Sequence, residues 1–366
     1  MSTNPRLGKL RGLRRMATPA GHFNMMAVDQ RHQISSFIEK KLGIGADAAS
    51  FADMVAIKRV LVEALGEHVS AVLLDPNFSF PAALAKLPAR TGFLVTLEDH
   101  RFEDTPGGRR SHSIRNWSVE KIKRAGGDGV KLLTWFRPGA DPDILAHQKT
   151  FVENAGDECR RQDIALVLEL LVYPFAKSAR HNVDYGESSS RHPELVLDSV
   201  REFVHPRYGV DLLKLESPLP GAMLPARDGG AGHLQAPQRF DAMGAICRDA
   251  GMPWVMLSAG VPSTQFVRVM EYAYAAGANG FLAGRAIWWD ALQQFPDLGK
   301  FAAQLREQGR APCANWTSSR CARPLRGSRT TARSTASSPK GRCARPTRNR
   351  KPTQSSRPHW QQAFWL

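Results

Sequence analysis

The sequence predicts an α/β protein, a closed (β/α)8 barrel of the TIM type followed by a basic tail. Three observations carry that expectation. Eight short apolar runs alternate with stretches of helical periodicity between Leu7 and Phe295. The runs are apolar almost throughout rather than at every second residue, which marks strands covered on both faces, as in a parallel sheet wrapped by helices. Charged residues collect near the C-terminal ends of those runs, where barrels of this kind place their active sites. An open dinucleotide-binding sheet would carry a Gly-x-Gly-x-x-Gly turn after its first strand, and Asp29-Gln30-Arg31 stands there instead.

The leader up to Val28 has no acid and carries Arg6, Lys9, Arg11, Arg14 and Arg15. We expect a cationic helix plugging the bottom of the barrel, with a transit peptide as the alternative. Phe23 to Val28 is the first strand. From Phe51 to His68, Met54, Val55, Ile57, Val60, Leu61 and Leu65 recur at helical spacing. Ser70 to Asp75 is the second strand, broken by Pro76 and Asn77, and Gly92 to Glu98 the third. The long polar loop from Asp99 to Asn116 is a candidate lid. Ser118 caps a short helix. Gly129 to Phe136, holding Lys131, is the fourth strand, and Asp141 to Arg161 an amphipathic helix. Ile164 to Tyr173 is the fifth strand, interrupted by Glu169. After a loop at Lys177 to Arg191 and a helix at His192 to Val204 comes the sixth strand, with Lys214 and Glu216. Residues 219 to 232 form a Gly- and Pro-rich loop. Helix Leu234 to Ala250, strand Trp254 to Ser258, helix Ser263 to Ala276, strand Gly280 to Ala283 and helical pieces through Gln308 complete the series.

The formal charge of +16 would suit an anionic partner, but residues 311–366 hold twelve Lys and Arg and no acid, leaving 38 basic against 34 acidic groups in residues 1–310. The excess belongs to the tail, so any nucleic-acid contact is expected to be non-specific and to run through it. We divide the chain into a barrel, 1–310, and a low-complexity basic tail, 311–366. The tail's composition fits an out-of-frame reading of a GC-rich gene, with a genuine disordered basic extension as the alternative. Cys313, Cys321 and Cys343 lie in it, and the five cysteines have no disulfide or metal spacing, which points to a reducing, cytoplasmic compartment. No run reaches the roughly 18 apolar residues of a membrane span.

Side chains alternate faces along a strand, so Lys214 and Glu216 point one way while Leu213 and Leu215 point the other. A buried Lys–Glu pair without chemistry is one reading. The other rests on number: Lys131, Glu169 and Lys214 fall on the fourth, fifth and sixth strands, neighbours in a sequentially wound barrel. Three adjacent ionisable groups are a poor source of stability because each must be desolvated and partnered. A second cation beside a lysine is also how proteins favour a neutral, nucleophilic amine. A lysine nucleophile, a second lysine and a carboxylate to move protons suit Schiff-base aldol cleavage. Ser258-Ala259-Gly260 after the seventh strand and Gly284-Arg285 after the eighth match the usual phosphate position of such barrels. The strand ends also carry Asp29, Asp75 and Glu98. A metal-dependent aldolase would want a histidine cluster there, and of the eleven histidines His100 and His112 are the nearest candidates, both in the long loop.

The motifs Met26-Ala-Val-Asp29-Gln30-Arg31, Ala71-Val-Leu-Leu-Asp75-Pro76, Asp128-Gly-Val-Lys131, Leu168-Glu169, Val210-Asp-Leu-Leu-Lys214-Leu-Glu216-Ser-Pro218, Leu257-Ser258-Ala-Gly260-Val261 and Leu282-Ala-Gly284-Arg285-Ala-Ile-Trp288 together resemble the class I tagatose-1,6-bisphosphate aldolases. The sulfofructose-phosphate aldolases are close relatives of that family. The resemblance implies Lys214 as the Schiff-base lysine, Glu169 as acid and base, and Lys131 as a supporting cation. It implies Asp29 as a substrate-hydroxyl contact with Gln30 and Arg31 nearby, and Ser258, Gly260, Gly284 and Arg285 as an anion site. It further implies a phosphorylated ketose substrate, no metal or other cofactor, and a homo-oligomer. A sulfofructose-phosphate aldolase and a non-catalytic sugar-phosphate sensor are the alternatives. Ser217 stands where the family commonly has an aliphatic residue, and the tail does not resemble the family's helical C-terminus.

Overall fold

The computed structural model describes residues 6–173, 193–225 and 235–308. The tail, the loop at Lys177 to Arg191 and the second half of the Gly- and Pro-rich loop, residues 226–232, lie outside them. Eight parallel strands close into a barrel: β1 (Phe23–Ala27), β2 (Ala71–Leu74), β3 (Gly92–Thr96), β6 (Gly129–Trp135), β7 (Ala165–Leu171), β8 (Leu212–Leu215), β9 (Trp254–Met256) and β10 (Gly280–Ala283). The two left over, β4 (Glu103–Thr105) and β5 (Gly108–Arg110), pair antiparallel as a hairpin inside the long loop. Strands follow one another around the ring in chain order, and β1 closes on β10 with Phe23 opposite Gly280. Every residue of β2, β3, β6, β7, β8, β9 and β10 is buried, which is why these runs are apolar rather than alternating.

Helix α1 (Leu7–Met16) lies across the N-terminal ends of the strands, as its sequence leads one to expect. Lys9 pairs with Asp211 just before β8 at 2.7 Å, and Arg15 pairs with Asp128 just before β6 at 2.9 Å. Gly8 N–H donates to Asp163, ahead of β7, at 2.7 Å. Gly12 lies so close to the Asp128 carbonyl that no side chain fits at that position. Basic residues of the leader thus answer acids at the strand starts, and Met16 seals the floor.

The outer ring is α2 (His32–Leu42), α3 (Phe51–Leu65), α4 (Ser79–Ala83), α5 (Val119–Arg124), α6 (Pro142–Gln162), α7 (Pro193–Phe203), α8 (Gln235–Asp249), α9 (Ser263–Ala275), α10 (Arg285–Leu292) and α11 (Leu298–Gln308). Ser50 and Ser118 cap α3 and α5, each accepting the N–H three residues on. Pro142 starts α6, where its missing N–H costs nothing.

Helix α3 buries a charge as well as apolar residues. Lys58 is wholly inaccessible to solvent and donates to Asp75 Oδ2 at 2.5 Å and to the Val28 carbonyl at 2.8 Å. Asp75 also accepts from the Asn77, Phe78 and Ser79 amides and from Ser79 Oγ. Burial alone would raise the Asp75 pKa, but Lys58 and these donors outweigh it and hold the carboxyl below its usual value. Asp75 is therefore a structural strap between β1, β2 and α3. Lys58→Met strands a buried carboxylate and is expected to cost roughly 3–5 kcal/mol of stability, read by urea denaturation. Removing both charges in Lys58→Met/Asp75→Leu should recover much of that loss.

The hairpin is anchored by Arg109, whose guanidinium carbon sits 4.3 Å from the Phe102 ring centre, 4.5 Å from Trp135 and 4.9 Å from Tyr173. Three aromatic faces around one cation hold the loop against the barrel rim.

Candidate active site

All ten residues singled out from the sequence line one cavity at the C-terminal mouth of the barrel: Asp29, Gln30, Arg31, Lys131, Glu169, Lys214, Ser258, Gly260, Gly284 and Arg285. Its space, including the open mouth, is about 760 Å³. Register explains the convergence. Leu133, Glu169 and Lys214 are direct partners across β6, β7 and β8, so their side chains share one face and one layer. Lys131 lies two residues earlier on the same face, and its long stem climbs that layer.

Glu169 bridges the two lysines. Its Oε1 is 2.9 Å from Lys214 Nζ and its Oε2 is 2.9 Å from Lys131 Nζ. Lys131 Nζ also lies 2.5 Å from Glu98 Oε1 and 3.1 Å from Asp29 Oδ2. The Glu98 carboxylate is fixed in turn by the Leu133 N–H at 3.0 Å, and Arg31 donates to the Glu98 carbonyl at 3.1 Å. Lys131, Glu169 and Lys214 are all at most 5% exposed. Burial would raise Asp29, but Lys131, Lys214 and Arg31 together overcome it and hold that carboxyl at about 2.

Two expectations change here. Simple like-charge repulsion between the lysines does not describe the cluster, because three carboxylates surround Lys131 and Glu169 lies between the ammonium groups. The Lys214 ion pair is also to Glu169 on the neighbouring strand, whereas Glu216 accepts from the Val172 N–H at 2.8 Å, securing the top of β7. Sequence reasoning placed Glu98 at a strand end but gave it no role. The structure makes it the tightest partner of Lys131, and the signal available was an acid closing an otherwise apolar strand.

Across the mouth, Ser258, Ala259 and Gly260 follow β9, and Gly284 leads into α10. Gly260 has φ +77°, and a Cβ there would lie 2.6 Å from the Arg285 guanidinium carbon. The glycine lets the arginine lie flat on the loop backbone. Gly260→Ala should therefore displace Arg285 and raise KM by roughly 10-fold, the value of one charge-assisted hydrogen bond, with little change in kcat; steady-state kinetics decides. His100 reaches the cavity rim, while His112 meets the same loop through its carbonyl, which accepts from the Asp99 N–H. Among the described residues no group of three or more His, Cys, Asp or Glu is arranged to hold a metal ion.

Fold and cavity together define a (β/α)8-barrel enzyme whose polar centre is built on β6, β7 and β8. Comparison with known proteins narrows that class: residues 23–290 match the model of the DeoC/LacD family aldolase. The chain belongs to that family and is an aldolase, a lyase. Tagatose 1,6-diphosphate aldolase of Listeria monocytogenes is 31% identical over 317 residues, covering 83% of this chain and 88% of its own. Tagatose 1,6-diphosphate aldolase 2 of Enterococcus faecalis is 30% identical over 310 residues, covering 83% and 90%. Among solved structures, the fructose-bisphosphate aldolase of Plasmodium falciparum superposes with a TM-score of 0.61 at 13% identity, covering 87% of this chain and 96% of that one. An archaeal fructose 1,6-bisphosphate aldolase gives 0.52 at 18% identity, covering 82% and 99%. At those identities the structural likeness speaks for the fold.

Proposed function

We propose that this chain is a class I aldolase that cleaves tagatose 1,6-bisphosphate into dihydroxyacetone phosphate and glyceraldehyde 3-phosphate through an imine on Lys214. The observation that carries the reading is the contact of Lys214 Nζ with the Glu169 carboxylate, 2.9 Å apart on the wall of the cavity. The relatives named for tagatose 1,6-diphosphate favour that ketose over sulfofructose phosphate, and an enzyme over a sensor.

Each group then has one task. A proton passes from the Lys214 ammonium to the Glu169 carboxylate across their 2.9 Å contact, and the resulting neutral amine adds to the C2 ketone, a proton moving from nitrogen to oxygen to give the carbinolamine. Glu169, protonated, gives its proton to the carbinolamine hydroxyl, which leaves as water with the C–O electron pair, and the nitrogen lone pair forms the iminium. The carboxylate next takes the C4 hydroxyl proton; the C4–O electrons form the aldehyde, the C3–C4 bond breaks, and its pair flows into the iminium to give an enamine. Protonation at C3 and hydrolysis release dihydroxyacetone phosphate and restore the lysine. Lys131 holds Glu169 in position, Asp29 contacts a substrate hydroxyl with Gln30 and Arg31 beside it, and Ser258, Gly260, Gly284 and Arg285 take the C1 phosphate. No metal or other cofactor enters these steps.

The proposal extends to a homo-oligomer in the cytoplasm, which the two buried free thiols, Cys159 and Cys247, suit. Among the described residues no helix is long and apolar enough to cross a membrane. Residues 311–366 would form a separate basic tail that touches nucleic acid only non-specifically. Borohydride added with dihydroxyacetone phosphate should attach the triose irreversibly to Lys214, as peptide mass mapping would reveal. Full turnover with no such adduct would overturn the imine mechanism.

A further inference from the structure

Asp29 touches Lys131 Nζ at 3.1 Å, yet it stands two residues past the end of β1, so its place depends on the peptides that precede it. Side chains of the outer ring clamp both of them. The Ala27 carbonyl accepts from the indole N–H of Trp288, on α10, at 3.0 Å. The Val28 N–H donates to the Leu73 carbonyl of β2 at 2.9 Å, and the Val28 carbonyl accepts from Lys58 Nζ, on α3, at 2.8 Å. That carbonyl and the Asp29 nitrogen belong to one planar peptide group, so Lys58 grips the plane from which the Asp29 side chain springs.

Stability does not explain why a lysine does this. A buried ion pair often returns no more than its desolvation costs, and an apolar pair of similar volume is commonly as stable or more so. Lys58 and Asp75 are both wholly inaccessible to solvent and meet at 2.5 Å, the situation to which that comparison applies. An apolar residue at position 58 would offer the Val28 carbonyl no donor. The electrostatics point to the same loop: burial lowers the Lys58 pKa, Asp75 and then Asp29 oppose that, and Arg31 adds to it. Lys58 thus feels two charged residues of the segment it anchors.

We propose that Lys58 is a positioning residue for the reaction, gripping the Val28 carbonyl so that Asp29 is held against Lys131 and aimed at the substrate. The substrate contact rests on the aldolase reading, the grip on Asp29 on geometry alone. Variants that part stability from activity test it. Asp75→Asn leaves Lys58 its bond to Val28 but removes its counter-charge, so the denaturation midpoint should fall while kcat/KM for tagatose 1,6-bisphosphate stays within a few-fold of wild type. Lys58→Met/Asp75→Leu should regain stability and yet lose kcat/KM by roughly 100-fold, the cost of misplacing a group in the site by about 1 Å. Lys58→Met/Asp75→Asn, which keeps an acceptor for the Asn77 and Phe78 amides, takes its place if the leucine version does not fold. An NMR titration of Asp29 reads the same displacement without substrate. Its carboxyl should rise from about 2 in the double variant, where one cation and one anion are lost together, and should not rise in Asp75→Asn. Activity that follows stability across these variants, or an Asp29 titration unmoved in the double variant, overturns the positioning role. A wild type that cleaves no ketose bisphosphate would sink the aldolase reading instead, and the Asp29 titration would still decide for or against Lys58.

Discussion

Lys214→Met is expected to lower kcat by on the order of 10⁵-fold, as removal of a covalent nucleophile does elsewhere, and to abolish the borohydride adduct. The protein should nevertheless stay folded. Glu169 keeps Lys131 at 2.9 Å when Lys214 is gone, so the buried carboxylate is not left alone. Methionine matches the lysine stem in volume and fills the wall of β8. Lys214→Arg sharpens the result, because a guanidinium retains the charge but cannot form the imine. Denaturation curves close to wild type, with no turnover and no mass shift after reduction, are the expected combination. A trapped adduct surviving in Lys214→Met would move the nucleophile to another residue.

Glu169→Gln should lower kcat by roughly 10²- to 10⁴-fold, the usual value of a positioned general acid and base, and should change KM far less. The substitution preserves shape and removes the proton carrier. Lys131 retains Glu98 at 2.5 Å and Asp29 at 3.1 Å, so the wider cluster holds, whereas Lys214 loses its carboxylate partner. Trapping of dihydroxyacetone phosphate should persist but slow, since the dehydration that forms the iminium lacks its acid. Pre-steady-state trapping rates distinguish this from a binding defect. A kcat within a few-fold of wild type would transfer the proton role to Asp29 or Glu98.

Much of the barrel is legible in the sequence because burial on both faces writes its strands as apolar runs, and lone charges inside those runs then stand out. Lys131, Glu169 and Lys214 are visible for that reason. What escapes is whatever depends on pairing. Lys58 sits on the apolar stripe of its helix with Met54 and Leu61, yet nothing local says that Asp75 waits for it across the barrel wall. Asp75 and Glu98 look alike at strand ends, and only the three-dimensional partner separates a strap from a cavity wall. Helix α2 is missed because its buried apolar positions are Ile34 and Ile38 alone, too few to mark a period. The hairpin is missed because its two strands are three residues each and polar, with Pro106-Gly107 the sole turn signal.

The seam between β1 and β10 joins Phe23 to Gly280. During synthesis the first strand must wait for a neighbour made 257 residues later, which at ribosomal speeds of 5–20 residues per second is roughly 13 to 50 s. Throughout that interval one edge of β1 is unsatisfied, and β2 is the partner available to shield the other. The nascent chain is therefore most vulnerable to aggregation before the last strand emerges, and its birth, rather than its mature fold, is where a chaperone would matter.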